Sequence, residues 1–169
     1  MSTDQLSALL PAQVANLTTV QIVALDTATQ VQSLTTAQVN KLTGDQLAAM
    51  TTAQVKAIET ADIQVLTNTA LQSITTDGVK ALTTDQVAAL TTAQISKLTA
   101  DQMGVMTTAQ VVAMTTNDMS KLTMEQIAAV STAGIKVLTT AQVQQLTASQ
   151  IGSLTTAQVV ALSTDAIQA

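Results

Sequence analysis

The sequence predicts an all-α solenoid of 21 octapeptide repeats, each forming one short capped helix. Three observations support this fold class. An eight-residue unit recurs along the whole chain, as in LTTDQVAALTTAQISK at residues 82–97. A helix-start signal recurs within the unit. Positions one and six of the unit are aliphatic or Met in all 21 repeats, which predicts two continuous core rows.

The typical unit carries a capping box. Thr at position two is followed three residues later by Gln at position five, so each side chain can bond to the backbone N–H of the other residue. The apolar residues at positions one and six have the spacing of a hydrophobic staple. Pro11, the only proline, stands at position three, the first helical position. The pattern therefore predicts a helix that restarts every eight residues, with its N-cap at position two.

Charges are sorted along the unit as a helix dipole favours. Seven of the eleven acidic residues occupy position four, in the predicted first turn: Asp4, Asp45, Asp77, Asp85, Asp101, Glu125 and Asp165. All six lysines occupy position seven or eight, in the predicted last turn. The acids are therefore interpreted as dipole partners. They form no D-x-D-x-D-G calcium loop.

The repeats begin at Met1, Leu9, Leu17 and Leu25, then continue every eight residues from Leu34 to Leu162. The unit at 25–33 has nine residues, and we expect Asp26 to be the insertion, with Thr27 and Gln30 restoring the capping box. Weaker helix starts are predicted in the six units that lack Gln at position five: Asp62, Ala70, Gly78, Asp118, Gly134 and Ala166. We expect residues 1–169 to form a single solenoid that is a segment of a longer array.

Other repeat geometries fit the period less well. In one continuous helix, equivalent side chains would drift by about 80° per unit, so the apolar stripe would wind around the axis. Positions one and six have opposite parity on an extended strand, although a β-solenoid with corners remains an alternative. Helices of six or seven residues are unstable alone, and stacking in a solenoid would supply the missing contacts.

Substitutions at position three indicate a longer period. After the irregular unit at 25–33, they occur at Gly44, Asn68, Ala100, Met124 and Ala148, at spacings of 24, 32, 24 and 24 residues. This favours three helices per coil and leaves two per coil open.

The composition excludes several function classes. The chain has no Cys, His, Arg or aromatic residue, so no disulfide is possible, and we predict no catalytic, cofactor-binding or metal site. A net charge of −5 without basic clusters argues against nucleic acid binding. Thr and Gln interrupt the apolar residues too often for a membrane span, and no signal peptide is visible at the N-terminus.

Two residue sets invite a functional interpretation. The Thr pairs could form a flat array that orders water, as ice-binding surfaces do, but Thr at position two is more simply explained as a cap. Met103, Met106, Met114 and Met119 could form a soft apolar binding patch. Since all four occupy core positions one or six, we interpret them as core residues.

The unit LTTAQVVAL at residues 154–162 resembles the Thr- and Gln-rich short repeats of very large bacterial surface and secreted proteins. This resemblance implies an extracellular array that spaces or presents other domains. The unit also resembles the opening helix of transcription-activator-like effector repeats. The second helix and base-reading residues of those repeats are absent here, and so is their basic charge.

We therefore expect a non-enzymatic spacer or presentation scaffold, located at the cell surface or secreted. Its expected partners are neighbouring repeats or domains of a parent chain, with end-to-end self-association of exposed apolar ends as a further expectation. The alternative is a binding module that recognises a protein, a glycan or ice through one solenoid face.

Overall fold

The computed structural model describes residues 1–162, and every repeat in this range except the irregular one at 25–33 contains a short α-helix. It contains nineteen short α-helices and no β-strand within the described residues. The predicted all-α solenoid is confirmed, and the β-solenoid alternative is excluded.

Contacts between α-carbons divide the chain into two compact units, Met1–Leu90 and a second that begins at Thr91. The expectation of one solenoid over residues 1–169 stays a prediction. The first unit contains α1 (Thr3–Ser7), α2 (Pro11–Ala15), α3 (Thr19–Val23), α4 (Thr36–Val39), α5 (Gly44–Ala49), α6 (Thr52–Ala57), α7 (Thr60–Ile63), α8 (Asn68–Gln72), α9 (Thr76–Ala81) and α10 (Thr84–Ala89). The second contains α11 (Thr92–Ile95), α12 (Ala100–Gly104), α13 (Thr108–Ala113), α14 (Thr116–Lys121), α15 (Met124–Ala129), α16 (Thr132–Lys136), α17 (Thr140–Val143), α18 (Ala148–Gly152) and α19 (Thr156–Ala161).

The helices begin where the capping pattern predicts. In α10, for example, the Thr83 hydroxyl accepts from Gln86 N at 3.1 Å, and Gln86 Oε1 accepts from Thr83 N at 2.8 Å. The second bond is missing in α7, α8, α9 and α16, as predicted for units without Gln. It is present in α14, where Asp118 Oδ2 accepts from Thr115 N at 2.8 Å. The weaker start predicted for the Asp118 unit is therefore wrong, and Ala166 lies outside the described residues.

The irregular unit at 25–33 is capped by Asp26 rather than by Thr27. Asp26 Oδ1 accepts from the N–H groups of Ala28 and Thr29 at 3.0 and 2.9 Å, and Gln30 Oε1 accepts from Asp26 N at 2.8 Å. Val31 N donates to Asp26 O at 2.9 Å across five residues, one more than in a regular unit. The extra residue is thus absorbed inside a widened turn. The prediction that Thr27 restores the box is wrong because a carboxylate one position earlier accepts two N–H groups.

Within each compact unit, helices pack on the helix three octapeptide units further along the chain. In the first unit the stacked columns are α2/α4/α7/α10, α3/α5/α8 and α6/α9. In the second unit they are α11/α14/α17, α12/α15/α18 and α13/α16/α19. Three columns of helices therefore form a coil of three units, which confirms three helices per coil within each compact unit.

The two aliphatic rows form the core of both units. Position six is almost fully buried from Leu6 to Ile135, and position one is buried from Leu25 to Leu138. Coils approach closely where small residues meet. A Cβ atom built on Gly44 would lie 2.5 Å from Ser73 Oγ and 3.3 Å from Ser73 Cβ, which places position three of α5 against position eight of the unit in the next coil.

Candidate functional site

The side chain of Gln at position five joins one coil to the preceding coil. While Gln86 Oε1 caps its own helix, Gln86 Nε2 donates to Val55 O at 3.0 Å and to Ile58 O at 2.7 Å. Val55 lies near the end of α6, and Ile58 opens the next repeat. The amide therefore bonds to the corner where one helix ends and the next begins. We call this arrangement the glutamine tie.

The tie recurs in both compact units. The Nε2 atom donates at 2.7–2.9 Å to a position-one carbonyl of the preceding coil in each of eight repeats: Gln38, Gln46, Gln54, Gln86, Gln126, Gln142, Gln150 and Gln158. All eight side chains are at most 3 % exposed. Neutral hydrogen bonds contribute roughly 1 kcal/mol each, so repetition of the tie adds to the cohesion that the buried aliphatic rows give between coils.

Only an amide of this length can both accept the capping bond through its oxygen and donate to the preceding coil through its nitrogen. Glu would keep the capping bond but carries no donor at neutral pH, and its charge would face backbone carbonyls. Asn would be one methylene shorter than Gln. The chemistry of the tie therefore explains why position five is Gln in fifteen of the 21 units.

The units that lose the tie show a steric rule. Position one is β-branched in only three repeats, at Ile58, Ile74 and Val130, and none of these has Gln at position five. A Cβ atom on Gly78 would lie 2.7 Å from Ile74 Cγ2, and one on Gly134 would lie 2.8 Å from Val130 Cγ1. A β-branched residue therefore crowds the Cβ position at Gly78 and Gly134, whereas Asp62, which follows Ile58, has a Cβ atom and lacks only the amide donor.

Asp118 leaves one buried oxygen without a partner. Its Oδ2 accepts from both Thr115 N and Thr115 Oγ1, at 2.8 and 2.7 Å. Oδ1 has no hydrogen-bond partner, although the residue is only 1 % exposed. The Asp118 carboxylate thus forms the capping bond that Gln forms, but it has no N–H group to donate to the preceding coil.

The structure shows where the Thr and Met residues discussed in the sequence analysis lie. Thr at position two accepts from the N–H of position five in the capped repeats, for example Thr83 from Gln86. Met103, Met106, Met114 and Met119 are at most 4 % exposed, within the core rows. The described residues contain no group of three or more acidic side chains placed to hold a metal ion. None of their helices is long and apolar enough to cross a membrane.

The first unit also has an open groove with a volume of about 350 Å³. Its lining includes Lys56, Glu59 and Asp85, side chains of both charges. Glu59 replaces Thr at a helix start and makes no capping bond. The groove brings together none of the residues that were singled out from the sequence.

A model of the ALTTAQ repeat matches residues 55–92, 87–116, 111–148 and 119–156, which together exceed half of the chain. The chain belongs to the ALTTAQ repeat family. The ALTTAQ letters occur unchanged at residues 89–94, where they contain the capping pair Thr91 and Gln94. A comparison with curated proteins found no match.

Sequence reasoning identified only half of the task of the ALTTAQ glutamine. The capping box is local and was predicted, whereas the Nε2 bonds reach a carbonyl 28–32 residues away. These bonds could have been inferred from the residue type at position five, because Gln predominates there more strongly than a capping box alone requires. Glu is equally suited to a capping box, yet it never occurs there.

Proposed function

We propose that this ALTTAQ array is a non-catalytic spacer or presentation scaffold in a large bacterial protein that is secreted or displayed at the cell surface. The observation that carries the proposal is the glutamine tie, because the conserved chemistry of the repeat serves to join coils. Apart from the Thr residues at positions two and three, the exposed positions carry no equally regular chemistry. Position seven alone includes Ala48, Lys56, Val112 and Lys136.

The expected partners are therefore further repeats or domains of the same parent chain. A coil ends with backbone acceptors and begins with amide donors, so any neighbouring ALTTAQ coil can continue the array. Such modular growth suits a spacer, whose property of interest is its length.

The test is an insertion that adds one coil. Residues 34–57 contain three complete repeats with Gln38, Gln46 and Gln54, and a copy of them is inserted after residue 57. We expect helicity per residue to be kept and the maximum dimension from small-angle X-ray scattering to grow by about 10 Å, the usual helix-packing distance. A Gly/Ser insertion of equal length is the control. Loss of helicity, or no increase in length, would count against a spacer.

One observation favours a second candidate, a binding module. In the column α4/α7/α10 position three is Thr each time, and Thr36, Thr60 and Thr84 are all exposed. A regular row of hydroxyl and methyl groups can contact a repetitive surface, such as a protein, a glycan or ice. Replacing Thr60 and Thr84 by Lys should then abolish binding to a glycan panel or inhibition of ice recrystallisation while the melting temperature is kept. If the parent chain shows neither activity, these two surfaces are ruled out.

A further inference from the structure

The glutamine tie is missing from one complete turn of the first compact unit. Three successive repeats, those of α7, α8 and α9, have Asp62, Ala70 and Gly78 at position five. None of these side chains carries an N–H donor, so none can form the tie. Every other run of three successive repeats in the sequence has at least one Gln at this position.

A run of three repeats is the length that decides whether two coils can separate. Because a coil contains three helices, two coils come apart only when three successive stacked pairs separate. Here these pairs are α4/α7, α5/α8 and α6/α9, and each lies at a repeat without the tie. We call this boundary, between residues 34–57 and residues 58–81, the untied seam.

Glutamine ties are present on both sides of the untied seam. On its N-terminal side, three amides donate to position-one carbonyls of the preceding coil at 2.7–2.9 Å: Gln38, Gln46 and Gln54. On its C-terminal side, Gln86 Nε2 donates to Val55 O and Ile58 O. Gln86 therefore holds the corner at which the chain crosses from α6 to α7, and this corner can serve as the hinge of an opening seam.

Apolar packing and the Asn40 side chain hold the untied seam closed. Asn40 Nδ2 donates to Val65 O at 2.6 Å. A Cβ atom on Gly78 would lie 3.5 Å from Val55 Cγ2, on the other side of the seam. The position-six side chains that line the seam are at most 1 % exposed: Val39, Leu47 and Val55. The seam is thus packed like the other boundaries and differs from them in its missing amide bonds.

We propose that the untied seam is a built-in opening point of the array. The coil of residues 58–81 separates there reversibly from the coil of residues 34–57, while the ties of the preceding boundary stay closed. In a spacer under tension, the chain would lengthen first at this turn. Only that last role rests on the proposed function, because the opening itself is a property of the fold.

Thiol labelling of buried cysteines measures the opening, since the native chain has no Cys. Val39→Cys places a thiol at the untied seam. Val111→Cys places one at the same repeat position of a boundary that is tied, because Gln142 Nε2 donates to Val111 O at 3.1 Å. Both valines are 1 % exposed. We expect intact mass to show labelling about tenfold faster at residue 39, since one ordinary hydrogen bond corresponds to nearly that factor.

Ala70→Gln, made in the Val39→Cys chain, restores one donor to the seam. The spacing of the repeat places this amide at the carbonyls of Val39 and Leu42, and Leu66 before it is not β-branched. We expect labelling to slow by about tenfold. Ala53→Gln, the same change at an exposed position, is the control and should leave the rate unchanged.

Gln142→Ala, made in the Val111→Cys chain, is the reciprocal variant and should speed labelling by a similar factor. It keeps the test decisive if circular dichroism shows that Ala70→Gln disturbs the fold. Equal labelling of the two parent cysteines overturns the seam, because it assigns labelling to unfolding of the whole chain. A folded Ala70→Gln chain that is labelled as fast as its parent overturns it as well. These outcomes leave the spacer proposal intact, because coil insertion tests it by a separate readout.

Discussion

Replacing Gln126 by Glu separates the glutamine tie from the capping box. Gln126 Oε1 accepts from Thr123 N at 2.8 Å, and a Glu oxygen can keep that bond. Gln126 Nε2 donates to Ile95 O at 3.0 Å and to Leu98 O at 2.7 Å, and Glu loses both bonds. The substitution also places a carboxylate beside two backbone carbonyls at a buried position, since Gln126 is only 2 % exposed.

The expected loss follows from these contacts. Two neutral hydrogen bonds contribute about 1 kcal/mol each, and leaving buried polar groups unsatisfied adds to the cost, so we expect a loss of about 2–4 kcal/mol. For a chain of this size that corresponds to a fall in melting temperature of about 5–15 °C. Circular dichroism at neutral pH and low micromolar concentration measures the change.

The matched control is Gln21→Glu, which makes the same chemical change at a glutamine outside the eight ties. Gln21 makes the same capping bond to Thr18 N, at 2.8 Å, and its side chain is exposed. A carboxylate at a helix start is favoured by the dipole, so the loss should stay below about 0.5 kcal/mol. Equal destabilisation by the two substitutions would refute the reasoning, because it would assign the whole effect to capping.

Five further substitutions give three predictions, each measured by the midpoint of thermal or denaturant unfolding. Asp118→Asn should stabilise by about 1–2 kcal/mol, because it removes the charge from a buried carboxylate with one unpartnered oxygen; an unchanged midpoint would contradict this. Gly152→Ala should stabilise by up to about 1 kcal/mol through helix propensity, since nothing lies within 4 Å of its new Cβ. Gly104→Ala, at the same repeat position, should lose that gain because its Cβ would lie 3.2 Å from Ala129 O, and equal gains would argue against close coil contact. Asp26→Ala should destabilise by about 1–2 kcal/mol and Thr27→Ala by much less; the reverse order would restore Thr27 as the cap.

Local structure was predictable because its causes lie within one repeat. The Thr and Gln of a capping box are three residues apart, so the sequence alone positions the helix starts. The same locality explains the error at residues 25–33. Spacing made Thr27 the better candidate, whereas Asp26 accepts two N–H groups at once and a wider turn absorbs the extra residue.

Contacts between coils were predictable only in part. The substitutions at position three indicated a period of three units, because residues that meet across coils vary together. The donor role of Gln could not be derived in this way, since it depends on which carbonyls of the preceding coil lie within hydrogen-bonding distance of the amide nitrogen. The absence of Gln at Gly78 and Gly134 likewise becomes understandable only from side-chain distances such as the 2.8 Å between a Gly134 Cβ and Val130 Cγ1.

The most direct test of three helices per coil is disulfide formation between engineered cysteines, which is clean because the native chain has no Cys. A Cβ atom on Gly44 would lie 3.3 Å from Ser73 Cβ, close to the separation of about 3.5–4.5 Å found in disulfides. Gly44→Cys with Ser73→Cys should therefore oxidise rapidly, as measured by intact mass under mild oxidant. Gly44→Cys paired with Val65→Cys or Ala81→Cys, which are one unit away from the stacked position, should stay reduced. Rapid closure of the Val65 pair and not of the Ser73 pair would contradict the three-helix coil and support two helices per coil.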